Sequence, residues 1–583
     1  MKIVFRLLGF IQRYWSMLLL AFICIILTTG FAIIIPRMLG DGIDTVIGTG
    51  KRSFMIVAAV VIVAASSLRG FTGYGQRYFA EVVAQKVTYN IRNALYERLQ
   101  GLSFSFHDQN QTGQLMSRAT VDVEVTRMFF SQGFLGLTQI VFMVIGVGYM
   151  LISMNWQLGL MTLAFVIPVA GLAATFGTRM RPIWLKVQQV MGNMGNTLEE
   201  SLAGISVVKA FSHQAEDSRK FDSQATELYN EQMRAARMMS INMPTMVFMV
   251  SLPTVLILWY GGHQVVAGTM TIGQVTQFIL LMSMMMMPIR RLGMMVNLFS
   301  RTASAGQRIL EILDAESDVK EKPNAIMLGK VKGQVSFQDV SFSYDNLSPV
   351  LKNVSFEVQP GQLVALLGQS GSGKSTIANL LSRFYDVSGG KILVDGIDIR
   401  DVTLASLRKN VVTAQQDVFL FSATVRENIA YGAVDASMDK IVEVAKAAHL
   451  HNFIQALPEG YETWVGERGD TLSGGEKQRL SIARTLLVDP SILILDDSTA
   501  SVDSETEKLI RQALDRLIEG RTTFIITHRL PIIQNADLIL MLQDGNVVEQ
   551  GKHAELIARN GIYKEIYESQ LLLHQDSEES PVI

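Results

Sequence analysis

Six apolar runs, all before about residue 300, constrain this chain more than any other feature. A helix needs about 20 apolar residues to cross a bilayer core. Runs of that length lie at 15–36, 55–76, 133–153, 157–178, 243–266 and 272–297. The first half is therefore expected to be an all-α polytopic membrane domain with six transmembrane helices. Tyr14 and Trp15 at one end, and Trp259 and Tyr260 near another, fit an aromatic belt at the interfaces. Residues 1–14 mix apolar and basic side chains (Lys2, Arg6, Arg13) and read as an amphipathic helix on the membrane surface. No small-residue cleavage site follows, so no signal peptide is expected.

The connections between spans alternate in kind. The stubs around Met154–Trp156 and Ala267–Thr271 contain no Lys or Arg, whereas the 2–3 and 4–5 connections carry many, among them Lys86, Arg92, Arg118, Arg127, Arg181, Lys186 and Lys220. Positive charge stays inside, which puts the long connections and both termini in the cytoplasm. Residues 79–103 and 186–235 keep helical spacing with little Gly or Pro, so the spans are expected to continue as helices beyond the bilayer. Their far ends break at Phe106–Gly113 and at Gly204-Ile205-Ser206. The expected organisation is a membrane domain (1–314), a charged, proline-containing linker (315–334), an α/β domain with P-loop (335–570) and a polar tail (571–583).

Composition excludes two function classes. The net charge is −2, with no basic surplus to hold nucleic acid. Cys24 is the one cysteine, so the chain has neither an internal disulfide nor a CxxC metal site.

The phosphate chemistry lies in the second half. Gly368-Gln369-Ser370-Gly371-Ser372-Gly373-Lys374-Ser375-Thr376 follows an apolar strand (363–367) and precedes a helix-like run. This is G-x-x-x-x-G-K-[ST] in the context it requires. Glycines let backbone N–H groups wrap phosphates, and the helix N-terminus favours negative charge. Lys374 is expected on the terminal phosphates and Ser375 on Mg²⁺. A second apolar strand (492–495) ends in Asp496-Asp497, carboxylates placed to hold Mg²⁺ directly or through water.

Between these motifs lies Leu472-Ser473-Gly474-Gly475-Glu476, and here the chain resembles the ATP-binding cassette (ABC) transporters. Tyr344 matches the family's adenine-stacking aromatic residue, Gln416 the Q-loop glutamine and Mg²⁺ ligand, Thr463–Gly469 the exporter X-loop, Ala500–Asp503 the D-loop, and His528 the switch histidine. The resemblance covers nearly the whole chain. It implies that two cassettes close head-to-tail on ATP, each nucleotide lying between the glycine loop of one and the Ser473–Glu476 segment of the other. It also implies that the two cytoplasmic tips are coupling helices, and that the membrane helices alternate between inward-facing and outward-facing states. ATP contacts both surfaces, so its binding favours the closed state.

One residue departs from the family pattern. Glu usually follows the strand-end Asp and polarises the attacking water; here that position is Asp497. Asp is one methylene shorter, and a misplacement of about an ångström can cost ~10²-fold. Slow or absent hydrolysis is therefore expected at the site built on this chain's glycine loop. The substitution resembles that of heterodimeric bacterial multidrug exporters, in which one site is degenerate and the other joins the partner's glycine loop to this chain's Ser473–Glu476. Glu476 stands where Gln is commoner. The expected function is half of an ATP-driven exporter of drugs or other amphipathic, lipid-like compounds, paired with a non-identical half in the bacterial plasma membrane. The alternative is a homodimeric lipid flippase of the same family. Met243, Met246, Met249, Met282, Met284–Met287, Met294 and Met295 make spans 5 and 6 methionine-rich, which suits a cavity for varied apolar shapes, or simple packing.

Overall fold

Each apolar run is helical, and most of the helices extend well past it. The computed structural model describes residues 2–49, 53–345, 347–414, 418–497, 504–527 and 530–569. Among the described residues five helical runs are long and apolar enough to cross a membrane: Gln12–Gly48, Ile56–Gly101, Thr112–Met154, Trp156–Ala203 and Gln214–Val266. The sixth helix, Ile272–Asp314, carries an apolar stretch at Ile272–Met285. The side chains of residues 286, 287, 289–294 and 296 lie outside the description, so Met286, Met287, Met294, Arg290 and Arg291 are not placed. These six helices are called spans 1–6 below.

Span 5 shows why the long connections are not loops. Its 53 residues make about 80 Å of helix against a hydrocarbon core of about 30 Å. The remainder is the cytoplasmic extension expected from the helical spacing of 186–235. Two short helices cap the cytoplasmic turns, Phe104–Gln109 and Ile205–Ala210. At the outer end, the Asp44 carboxylate of span 1 accepts hydrogen bonds from the Thr271 hydroxyl (2.5 Å) and the Gly273 amide (2.7 Å). Thr271 and Gln274 form a capping box there, so the first turn of span 6 is capped by its own side chains and by span 1.

The N-terminal segment differs from its expectation. Helix Lys2–Gly9 is amphipathic, but Leu7 is fully buried against Gly306 on the cytoplasmic end of span 6. A Cβ at Gly306 would stand 2.6 Å from Leu7 Cδ1. Protein therefore covers part of the apolar face assigned to lipid; Phe5 remains exposed.

The chain divides into two units, Met1–Gln100 with Thr112–Ala315, and Gly101–Gln111 with Glu316–Ile583. The second unit, the cassette, holds twelve strands among the described residues: β1 (Val335–Phe342), β2 (Leu351–Val358), β3 (Leu363–Gly368), β4 (Gly389–Val394), β5 (Ile397–Asp398), β6 (Val411–Ala414), β7 (Ala423–Thr424), β8 (Trp464–Val465), β9 (Ile492–Asp497), β10 (Thr522–Thr527), β11 (Leu538–Gln543) and β12 (Asn546–Gly551). A six-stranded sheet runs β12-β11-β3-β10-β9-β6, parallel except for β12. β3 reads Leu-Val-Ala-Leu-Leu-Gly and β10 is buried throughout, as strands covered on both faces require. An antiparallel sheet, β2-β1-β4-β5, packs with one face of β3, β9 and β10 through Phe337, Phe356, Leu366 and Phe524. The other face carries Ala365, Leu367, Leu493 and Leu495 into a cluster with Leu480, Ala483 and Ile510.

Residues 316–334 are pinned to the cassette. The Leu328 amide donates to Ser406 Oγ (3.0 Å), Ile326 bridges Val402, and the buried Arg383 guanidinium donates to the Lys320 carbonyl (3.0 Å).

Candidate nucleotide site

The carboxyl ends of parallel strands are where open α/β sheets place ligands. The site is built on two such ends, β3 and β9, separated by β10. After β3 the chain turns through Gly368 (φ +145°), Gly371 (φ +82°) and Gly373 (φ +105°), conformations that favour glycine. Space adds to the requirement: a Cβ on Gly368 would stand 2.2 Å from the Leu542 carbonyl oxygen, and one on Gly373 would stand 2.6 Å from Leu351 Cδ2. Helix Lys374–Leu381 begins directly after the loop, its N-terminal amides open toward it.

The loop's polar groups fit an anionic ligand. Lys374 Nζ donates to the Gly368 and Gln369 carbonyls, both at 2.9 Å, which holds the ammonium over the loop. Burial pushes this ammonium below the usual lysine value, and Asp496 at the end of β9 pulls it back. Ser372 Oγ is buried with no hydrogen-bond partner among the described atoms, which is costly unless something occupies the cradle. Gln369, Ser370 and Ser375 are exposed at its rim. The Thr376 and Tyr344 hydroxyls pair at 3.2 Å. Tyr344 is held edge-on by Phe342 (4.8 Å) and Tyr385 (5.1 Å) and keeps an exposed ring.

The Ser473–Glu476 segment opens a different helix, Gly474–Val488. Ser473 is its N-cap and Glu476 its third residue. The Glu476 carboxylate accepts from the Ser473 amide (2.8 Å), and the Ser473 hydroxyl accepts from the Glu476 amide (3.4 Å). This capping box takes Glu or Gln equally well, which accounts for Glu476 where Gln is commoner. Gly474 is exposed, and Gly475 packs against Thr506.

The structure thus brings together the glycine loop, Lys374, Tyr344 and Asp496. Gln416, His528 and Ala500–Asp503 lie outside the described residues, and so does the side chain of Asp497, whose backbone closes β9 opposite Thr527.

The sequence reading expected the tips as coupling helices but named neither the contacts that dock them nor a groove in the cassette. The first cytoplasmic tip packs on the cassette: Phe104 stacks on Phe384 (4.3 Å), and the Tyr385 hydroxyl donates to Asp108. A groove of about 500 Å³ is lined by Arg408, Val412, Phe419, Arg484 and Val488. The Arg484 guanidinium donates to the Asn428 and Phe419 carbonyls (2.9 and 3.2 Å) and lies over the Tyr431 ring. Arg408 does the same with the Arg383 carbonyl (3.0 Å) and the Phe384 ring. Burial pushes both guanidinium groups down from their usual values. No single motif encodes either contact.

Residues 18–289 match the family described as ABC transporter transmembrane region, and residues 351–500 match the family described as ABC transporter. The chain belongs to the ABC transporters, as an exporter half. It is 38% identical over 558 residues to the uncharacterized ABC transporter ATP-binding protein YknU of Bacillus subtilis, covering 95% of this chain and 94% of that one. It is 35% identical to the ATP-dependent lipid A-core flippase of Syntrophus aciditrophicus (98% and 95% covered), and 34% identical to the putative multidrug export ATP-binding/permease protein YgaD of B. subtilis (98% and 100% covered). Among solved structures it is similar to a bacterial Atm1-family ABC exporter with ATP bound, with TM-score 0.79 and 30% identity, covering 95% of this chain and 98% of that one. This exporter half is a multi-pass membrane protein with a cytoplasmic ATP-binding domain.

Proposed function

We propose that this chain is one half of a heterodimeric exporter of drugs or other amphipathic compounds, and that the site on its own glycine loop holds ATP longer than it hydrolyses it. The observation that carries this reading is Asp497, the shorter acid at the position of the water-polarising Glu, closing β9 beside Asp496. In this reading Lys374, the 368–373 backbone and Thr376 hold the phosphates, Tyr344 stacks on adenine, and Ser375, Gln416 and Asp496 take Mg²⁺, which neutralises phosphate charge. In the same reading the catalytic roles fall to Asp497, His528 and Gln416. Ser473, Gly474, Gly475 and Glu476 face the partner's nucleotide.

Exposed apolar side chains support the need for a second chain. Trp184, Leu185, Met191, Leu198 and Leu202 on span 4, and Tyr229 and Met239 on span 5, are exposed. All lie beyond the apolar runs, on the helical extensions of the two spans. An apolar face in that position is what another protein covers.

ATPase of the purified chain alone is the test. Turnover is expected to be low, and to rise about 10²-fold in Asp497→Glu if carboxylate placement is the defect. Robust turnover of the unaltered chain without a partner would refute the heterodimer. Stimulation of that turnover by lipid would then favour the homodimeric flippase, a reading supported by the full-length similarity to a protein named a lipid A-core flippase.

A further inference from the structure

The chain passes between the two units at three points: Gln100 to Gly101, Gln111 to Thr112, and Ala315 to Glu316. The first two are the limbs of the cytoplasmic tip, which the cassette grips through Phe104 and Asp108. The third is the exit of span 6 into the segment pinned along the cassette. On the membrane-domain side, polar contacts of one short stretch of span 6 tie all three together.

Arg308, Glu311 and Asp314 are spaced three residues apart. Each step turns about −60° around the helix, so the three side chains fan across an arc of about 120°. Arg308 meets the limb after the tip: its Nε and Nη2 donate to the two oxygens of Asp122 at 2.7 and 2.5 Å. Asp122 is almost fully buried, so this bidentate pair fixes geometry as well as charge. Glu311 meets the same limb one turn nearer the tip, 3.6 Å from Arg118. Asp314 receives both terminal nitrogens of Arg6 from the N-terminal helix. The next residue, Ala315, offers its carbonyl to Arg98, on the limb before the tip. The Arg6 guanidinium holds the Asp314 carboxyl below its usual value, with Arg98 adding to the effect. Leu7 seated on Gly306 keeps the N-terminal helix in place beside this cluster.

We propose that Arg308, Glu311 and Asp314, together with the Ala315 carbonyl that holds Arg98, form a yoke that fixes the spacing of the three crossing points, so that movement of the cassette is delivered to spans 2, 3 and 6 as one body. Without the yoke, the backbone at Ala315 is free to bend, and the cassette moves on nucleotide while span 6 stays. The three are positioning residues that touch neither nucleotide nor substrate. The inference depends on the chain being an exporter half and is independent of whether its partner is identical.

The test uses the full chain, with whichever second half completes the transporter, in lipid nanodiscs. Spin labels at the outer ends of spans 2 and 6 report the membrane-domain switch as ATP plus vanadate is added. Nucleotide affinity of the cassette is measured separately. In Asp314→Asn and Arg308→Gln, the ATP needed for half-maximal switching should rise by about fivefold or more, the lower end of ordinary coupling energies, while cassette affinity for ATP stays put. The exchanged pair Asp122→Arg/Arg308→Asp should switch at a lower ATP concentration than either single change, because the ion pair is rebuilt in reverse. Arg6→Gln and Asp314→Asn alter exposed groups and keep the test available where the buried Asp122 variants fail to assemble. Unchanged switching in Asp314→Asn, Arg6→Gln and Arg308→Gln overturns the yoke. So does an exchanged pair no better than its worse single variant, or a loss of switching matched by an equal loss of ATP affinity.

Discussion

Gly475→Ala should destabilise the cassette, and the cause should be one methyl group. Gly475 is the second residue of helix Gly474–Val488, and a Cβ built there stands 2.2 Å from Thr506 Cγ2. Thr506 lies on the neighbouring helix Ser504–Ile518. Carbon atoms in contact sit about 3.5–4.0 Å apart, so the two helices or the Thr506 rotamer must give by more than an ångström. Overpacking of this size costs about 1–3 kcal/mol. Replacing a helical Gly by Ala returns about 0.5–1 kcal/mol, leaving a net loss of up to roughly 2.5 kcal/mol between the two effects. Thr506→Ser removes the offending methyl and keeps the hydroxyl. The next contacts of the new Cβ are Thr506 Cβ at 3.6 Å and Ile510 Cδ1 at 3.7 Å, both ordinary. In the Thr506→Ser background the sign should therefore reverse, and Gly475→Ala should stabilise by up to about 1 kcal/mol. Thermal unfolding of the full chain without nucleotide is the assay, at about 2–4 °C per kcal/mol for a domain of this size. The same loss of Tm in both backgrounds would refute the argument, because it would place the cost somewhere other than Thr506.

Two further outcomes follow from the site and the tip. The Lys374 ammonium is lowered by burial, and bound phosphates would raise it again, so ATP binding should take up a proton between the two values; affinity is expected to fall as pH rises through that window, by at most about tenfold per pH unit, as nucleotide titration across alkaline pH would read. Phe104→Ala removes the ring stacked on Phe384, worth about 0.5–1.5 kcal/mol beyond its buried area; amide exchange in 104–109 should accelerate several-fold at least while exchange in β3 is unchanged, and equal acceleration of both would mean general loosening rather than lost docking.

What the sequence disclosed and what it withheld divide along a physical line. The spans and the phosphate loop depend on residues adjacent in sequence. Twenty apolar residues must be a helix in lipid, and G-x-x-x-x-G-K-S after a strand must turn as this one does. The helical continuations were legible for the same reason, since spacing without Gly or Pro is a local property. Contacts across long sequence separations left no such mark. Nothing in Phe104, Asp108 or Tyr385 taken singly says that the tip packs with the cassette across 277 positions. The N-terminal helix misled for a related reason. Its amphipathicity is plain, but an apolar face does not say whether lipid or Gly306 will cover it.

The methionines of spans 5 and 6 carry that reasoning into the membrane. Their number suits a surface for varied apolar shapes, but only side chains outside the core can form one. Met246, Met282 and Met285 are buried, the last two in a cluster with Val147, Leu151, Phe278 and Ile257. They fill irregular gaps, the other use of a flexible thioether. Met243 is exposed, and Met249, Met284 and Met295 are half-buried, so among the described side chains of that set these four are the ones open to a substrate, to lipid or to a second half. A run of consecutive methionines covers every face of a helix. Composition therefore reports that a soft surface is available, whereas packing decides how little of it is exposed.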